Sequence, residues 1–302
     1  MRRFIIQTLL FAASAFLVAY IAVAVVGIKA KSSFKLTNPE TTLVFFGNSH
    51  VMTGVNDSMI PGSYNFGRNG ERMEWVYAKV RLILDNNPQV KTIGIGFDNV
   101  LCFHNQETEK VHMQNMSPYF LGVWSPEDFL ALWRTGTLTY NFDMYTKSLN
   151  VAKLYEAYRE GGNGAEALTM GGFDPSDRNA LQEDIRRRGI NIQDGNAASD
   201  TQIGNSEYEP MAHYFLDRTI EYCREKGVKV FFFLPPQHHL LRNSLKKSML
   251  VYRKFYDTIP YLNYMDVKLP DSCFQDLDHL NRKGADKFSR MLGKDLETAD
   301  FR

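Results

Sequence analysis

Five short apolar runs, set among stretches of helical periodicity, constrain this chain more than any other feature. They read "TLVFF" (42–46), "SYNF" (63–66), "VKTIGIGF" (90–97), "VKVFFFLP" (228–235) and the weaker "YLNYMDV" (261–267). Strands that are apolar almost without alternation have both faces covered, as in a parallel sheet whose crossover helices lie on each side. The intervening segments fit that scheme. "EWVYAKVRLILDNNP" places Trp75, Val76, Val80 and Ile83 at helical spacing and stops at Asn-Asn-Pro. "MAHYFLDRTIEYCREKG" is amphipathic and ends at Gly227, and "NRKGADKFSRMLGKDL" reads as a closing helix. The expectation is one α/β domain over residues 31–302, a doubly wound parallel sheet.

One section breaks the alternation. Residues 105–209 are rich in Tyr, Asn, Gly and Asp, with pieces such as "REGGNGAE" and "MGGFDPSD". So long a structureless stretch is unusual inside a compact domain. It reads as a partly helical insertion, with "SPEDFLALW" and "NALQEDIRRRG" as its helices, lying over one end of the sheet. Its Tyr and Trp residues offer stacking surfaces for sugars on composition alone.

Before the domain, residues 4–28 carry no charge. About 20 apolar residues suffice to cross a bilayer as a helix, whereas the apolar part of a secretory signal spans about 7–15. Residues 1–30 are therefore read as an uncleaved anchor, with a cleaved signal sequence as the alternative. Arg2 and Arg3 on one side nearly balance Lys29, Lys31 and Lys35 on the other. With so short an N-terminal tail, the body is placed outside the cytoplasm. The net charge of +1 gives no electrostatic footprint for nucleic acid. Cys102, Cys223 and Cys273 lack metal-ligand spacing, and burial as inert thiols is the expectation.

In open α/β sheets, ligands bind beyond the carboxyl ends of the strands. Those ends carry Gly47-Asn48-Ser49-His50, then Gly67-Arg68-Asn69-Gly70, then Asp98-Asn99; "DLDHLNRKGA", with Asp276, Asp278 and His279, follows the fifth strand. A serine needs a base, and the base an orienting carboxylate. An Asp three residues before His279 can meet one ring nitrogen while the other faces Ser49, and Asp276 suits this better than Asp278. Simpler roles stand beside each of these. Ser49 can be a helix N-cap, Gly67 and Gly70 can serve a tight turn, and His50 can pack inside or face solvent. His238 and His239 follow a strand end and read as a surface loop rather than site lining. No metal site is expected from Asp276, Asp278 and His279, because no ligand pair shares a helical face. "GIGF" is no dinucleotide fingerprint, and no cofactor is expected.

"FFGNSH", "YNFGRNGE" and "DLDHLNRKGA", in this order at strand ends, resemble three blocks of the SGNH (GDSL-like) hydrolase superfamily. With the single anchor, "S-H-V-x-x-G-V" and "H-L-N-x-K-G-A" are most similar to its membrane-anchored bacterial envelope branch. That branch is related to the D-alanyl transfer protein of teichoic acids and to alginate O-acetylation proteins. The resemblance implies a flavodoxin-like three-layer sheet, with Ser49 as nucleophile, His279 as base and Asp276 as its partner. It implies an oxyanion hole from the Ser49 amide, Gly67 and a second donor, Asn69 or Asn99. It further implies an esterase or acyltransferase of the bacterial cytoplasmic membrane acting on acylated glycan or a small ester, with a multispan membrane acyltransferase as a partner. The alternative is an inactive scaffold subunit of an envelope polysaccharide assembly. Two departures from the pattern stand out. Asn48 replaces a common Asp, and the third block, Gly-x-Asn-Asp, is "GFDN" here.

Overall fold

A computed structural model of the protein describes residues 1–30, 34–102, 123–135, 170–175, 177–190, 210–241, 246–299 and 301. Helix α1 (Arg2–Ala30) comes first. The domain then runs β1 (Leu43–Phe46), α2 (Ser49–Gly54), β2 (Ser63–Asn65), α3 (Met73–Asn86), β3 (Thr92–Gly96) and α4 (Asn99–Cys102). It continues with α5 (Pro126–Thr135), α6 (Leu181–Arg187), α7 (Pro210–Glu225), β4 (Lys229–Leu234), α8 (Lys246–Phe255), β5 (Tyr261–Asn263) and α9 (Arg282–Thr298).

The five strands form one sheet in the order β2-β1-β3-β4-β5. Every neighbouring pair is parallel, with Val44 opposite Tyr64 and Ile93, and Ile95 opposite Phe232. This is the flavodoxin-like doubly wound order, whose strand order reverses between β1 and β3. Strand pleating sends alternate residues to opposite faces. Val44, Phe46, Ile93, Ile95 and Phe232 pack with residues of α3, α7 and α8 on one face. Leu43, Phe45, Phe231 and Phe233 pack with Val51 of α2 and with Phe288, Leu292 and Leu296 of α9 on the other.

The second face explains the glycines of "TIGIG". A Cβ on Gly94 would lie 2.6 Å from the Phe231 ring and 2.9 Å from that of Phe45. One on Gly96 would lie 2.3 Å from Val51 Cγ2. These positions are bare because aromatic rings and helix α2 occupy the space, so α2 sits directly on the end of the sheet.

The fifth strand is shorter than the expected 261–267. Asn263 Oδ1 accepts the Met265 N–H at 2.9 Å, an Asx turn that takes the chain out of the ladder. Helices α5 and α6 fall on the two helical pieces expected within 105–209. "REGGNGAE" and most of that section lie outside the described residues. Residues 170–174 cross the carboxyl end of β2: Gly172 N–H donates to Gly67 O and Asp174 N–H to Met52 O, both at 3.1 Å. Trp124, one of the aromatic residues offered for sugar stacking, is buried against Trp75 with ring centres 5.5 Å apart. It belongs to the core. All three cysteines are free and buried, and burial pushes the Cys223 thiol up to about 12. Within α1, Arg2–Ala22 is long and apolar enough to cross a membrane.

Candidate active site

Helix α2 begins immediately beyond β1, and its first turn decides what Ser49 can do. Gly47 has φ +150°, and a Cβ there would lie 2.6 Å from Val51 Cγ2. Only glycine lets the chain turn from strand to helix this tightly. The N-cap is Asn48, not Ser49: Asn48 Oδ1 accepts the His50 N–H at 3.0 Å. The capping role expected as the simple alternative for Ser49 thus falls to its neighbour, which leaves the serine hydroxyl uncommitted to the helix. Ser49 Oγ lies 2.8 Å from His279 Nε2.

His279 is set by a closed loop ahead of α9. Gln275 N–H donates to His279 O at 2.9 Å, and Phe274 bridges Leu280 in antiparallel fashion. Asn281 caps α9 by accepting the Gly284 N–H at 3.1 Å. Gly284 must lack a side chain, since a Cβ would meet Cys273 O at 2.1 Å. Those contacts account for "HLNRKGA". Within the loop, Asp276 Oδ1 accepts the N–H groups of Asp278 (2.9 Å) and His279 (2.8 Å). Its two oxygens lie 3.0 and 3.1 Å from His279 Nδ1. Burial alone would raise the Asp276 carboxyl, but the hydrogen bond and charge of His279, with the two backbone donors, hold it below the ordinary carboxylate range. Asp278, the other candidate partner, turns away and pairs with Arg188, which also reaches Asp184 at 3.2 Å.

The expected oxyanion donors are placed unevenly. Ser49 N–H, at the first position of α2, has no acceptor among the described residues. Gly67 N–H donates to Asn65 Oδ1 at 2.7 Å, and the Asn65 amide in turn donates to Val51 O (2.9 Å) and Val55 O (2.7 Å). In this conformation the Gly67 amide is therefore committed. A Cβ on Gly67 would lie 2.6 Å from Met52 N, so close helix approach is sufficient reason for the glycine. Gly70, with φ +62°, serves the tight turn. Asn69 is exposed on that turn. Asn99 Oδ1 accepts the Ser248 N–H at 2.9 Å and ties α4 to α8.

The two departures from the family pattern meet each other. Asn48 Nδ2 donates to both oxygens of Asp98, at 3.0 and 2.9 Å. An Asp at 48 would set two buried carboxylates against one another, so Asn48 and Asp98 are complementary. Asp98 also accepts the Leu101 N–H at 2.9 Å and lies 2.6 Å from His50 Nδ1. His50, expected to pack or face solvent, is 6% exposed and paired. Burial would lower its pKa, but the charge and hydrogen bond of Asp98, with Asp278 and Asp276 further off, outweigh that and hold it raised. His238 corrects a second expectation. It is buried, stacks edge-on against Phe274 and lies 3.2 Å from Asp271, while His239 alone is exposed.

Beneath the second block, Lys79 is fully buried. Its ammonium donates to Phe66 O (2.6 Å) and Met170 O (2.8 Å) and pairs with Glu71. Burial pushes the Glu71 carboxyl up to about 7 even with Lys79 beside it. No sequence signal marked this pair, which fastens the Gly67 loop to residue 170.

Among the described residues, two groups of potential metal ligands converge: Asp184, Asp276 and Asp278, and His238, His239 and Asp271. In the first, Arg188 already supplies the positive charge. In the second, His238 Nε2 lies 3.2 Å from Asp271 and its Nδ1 3.4 Å from the Leu240 N–H.

A sequence-family model without a functional description matches residues 178–299, a span holding Asp276 and His279 but not Ser49. Comparison with curated proteins gives no match. Among solved structures, a Bacteroides fragilis protein provisionally named an acylhydrolase is similar in fold. The alignment covers 89% of this chain and 91% of that one, at 11% identity and a TM-score of 0.39.

Proposed function

We propose that the protein is a serine esterase or O-acyltransferase that works through Ser49, His279 and Asp276. The observation that carries this reading is the continuous array Ser49 Oγ, His279 Nε2 (2.8 Å) and Nδ1, Asp276 (3.0 Å). Asp276, ionised, accepts the Nδ1–H hydrogen bond, which keeps the proton on Nδ1 and leaves Nε2 free to accept from Ser49. As Ser49 Oγ bonds to an ester carbonyl carbon, its proton moves to His279, and Asp276 stabilises the imidazolium. The carbonyl oxygen becomes an oxyanion beside the Ser49 N–H at the start of α2, a favourable place for negative charge. Gly67 joins only if Asn65 releases its amide, and Asn69 is the other donor expected on that loop. Collapse of the intermediate passes the proton to the departing alkoxide and leaves an acyl group on Ser49. Water or a sugar hydroxyl, deprotonated by His279, then takes the acyl group.

By family resemblance the substrates are O-acyl, chiefly acetyl, esters of cell-surface glycans, and helix α1 holds the body at the outer face of the cytoplasmic membrane beside a multispan acyltransferase. A scaffold role is the second reading, and the committed Gly67 amide favours it. One experiment separates the two. Full-length protein in detergent micelles should release p-nitrophenol from its acetate ester and take a fluorophosphonate label on Ser49. Ser49→Ala should lose both. Equal signals from the two proteins contradict the catalytic reading.

A further inference from the structure

Beside the Ser49–His279–Asp276 array lies a second histidine–carboxylate couple to which the reaction above gives no part. His50 directly follows the nucleophile, and its ring centre is 5.1 Å from that of His279. Its Nδ1 lies 2.6 Å from Asp98 Oδ2, and both side chains are almost fully buried. Asp98 is saturated by Asn48, Leu101 N–H and His50. The carboxylate end of the couple is thus held by β3, α4 and the cap of α2, while the imidazole end lies against the reacting histidine. The Gln237 carboxamide nitrogen lies 3.2 Å from His50 Nδ1 and 3.3 Å from His50 Nε2.

The oxyanion gains from positive potential close by. Asp276 balances the imidazolium that forms on His279 and Asp98 balances His50, so the second couple offers the positive end of a buried dipole and no net charge. Of the backbone donors expected there, Ser49 N–H is uncommitted and Gly67 N–H is bonded to Asn65. A buried ion pair acts through a low-dielectric medium and is screened little by salt.

We propose that His50, protonated and clamped by Asp98, is a positioning residue that turns the positive end of this couple toward the Ser49–His279 pair, so that turnover requires His50 charged and His279 neutral. The proposal rests on the serine-hydrolase reading above. The groups that face His50 are consistent with it. Asp98 stands at the end of β3, Asp276 and Asp278 on the loop before α9, and each favours the charged ring. His279 faces it from the same loop, Asn48 is neutral, and a ring charged at both nitrogens requires the Gln237 carboxamide to present Oε1 in place of its nitrogen. Behind Asp98, the Cys102 thiol and the Tyr261 phenol are both held protonated by burial, so neither competes for the proton.

The test is kcat/KM for p-nitrophenyl acetate from about pH 6 to about pH 9, on full-length protein in micelles, with Ser49→Ala as background. Wild type should decline on the alkaline side as His50 loses its proton. His50→Gln should be lower at neutral pH by about tenfold or more, mainly in kcat, with the alkaline decline gone. Asp98→Asn should move the decline to lower pH, because His50 loses its counter-charge. A His50→Gln profile parallel to wild type, with Ser49→Ala silent, overturns this proposal alone. Ser49→Ala turning over like wild type overturns it together with the hydrolase reading. Nitrogen-15 NMR of labelled histidines in the wild type gives an answer independent of variant folding. His50 should be an imidazolium at neutral pH, and a neutral His50 overturns the proposal.

Discussion

Asp276→Asn is the substitution whose effect follows most directly from the site. Asp276 Oδ1 accepts two backbone N–H groups, at 2.9 and 2.8 Å, and in the variant the carboxamide oxygen must keep them. The new NH2 then occupies the place of Oδ2, 3.1 Å from His279 Nδ1. A donor now faces a donor, so the imidazole must move its proton to Nε2. In that tautomer Nε2 cannot accept from Ser49, and the imidazolium of the intermediate loses its counter-charge. Loss of tautomer and charge together should cost about 10³–10⁴ in kcat/KM, which corresponds to about 4–5.5 kcal/mol. The loop keeps its backbone bonds, so the melting temperature should move by only a few degrees. The assay is p-nitrophenyl acetate turnover by the full chain, with circular dichroism melts alongside. Asp278→Asn is the matched control. It loses a partly exposed pair with Arg188, worth about 0–1 kcal/mol, and should keep most of the activity. The reasoning is refuted if Asp276→Asn retains more than about a tenth of wild-type kcat/KM, or if Asp278→Asn is the more damaging of the two.

Other outcomes follow from the packing around the site. Gly96→Ala drives a methyl to 2.3 Å from Val51 Cγ2 and should destabilise by about 1–3 kcal/mol in urea titration, with slower turnover as α2 shifts. Asn48→Asp sets a carboxylate against Asp98 and should cost about 3 kcal/mol at alkaline pH. One carboxyl of that pair takes a raised pKa, so the loss should shrink as pH falls through it and grow as pH rises. Lys79→Met leaves Glu71 buried without a counter-charge and should cost about 3–5 kcal/mol at alkaline pH. Glu71 already sits at about 7 with Lys79 present, so it should be neutral in the variant at mildly acid pH. Thermal melts should then show much of the loss recovered. A pH-independent loss in either carboxylate variant would contradict the assigned partners.

The sheet was legible because its strands are apolar on both faces, and "VKVFFFLP" admits few other readings. Ser49 and the Asp-x-x-His loop were legible because each is a local pattern at a strand or helix end. What escaped depends on how elements rotate against one another. Asp98 lies about 50 positions from Asn48 and His50, and the seating of α2 on Gly96 brings the three together. For the same reason His50 and His238 read as surface or packing residues, although each is buried against a carboxylate. The commitment of the Gly67 amide to Asn65 is equally invisible in "YNFGRNG", since it turns on the direction of one side chain. Strand β5 was overread because an Asx turn at Asn263 outweighs the apolar residues that follow.

The central claim is that Ser49 becomes acylated. Intact-protein and peptide mass spectrometry after rapid mixing with p-nitrophenyl acetate and acid quench tests it most directly. Wild type should gain one acetyl group, on the peptide that contains Ser49, and Asp276→Asn should gain it far more slowly. Ser49→Ala should gain none. Acetylation that is absent from wild type, or that persists equally in Ser49→Ala, would contradict the account.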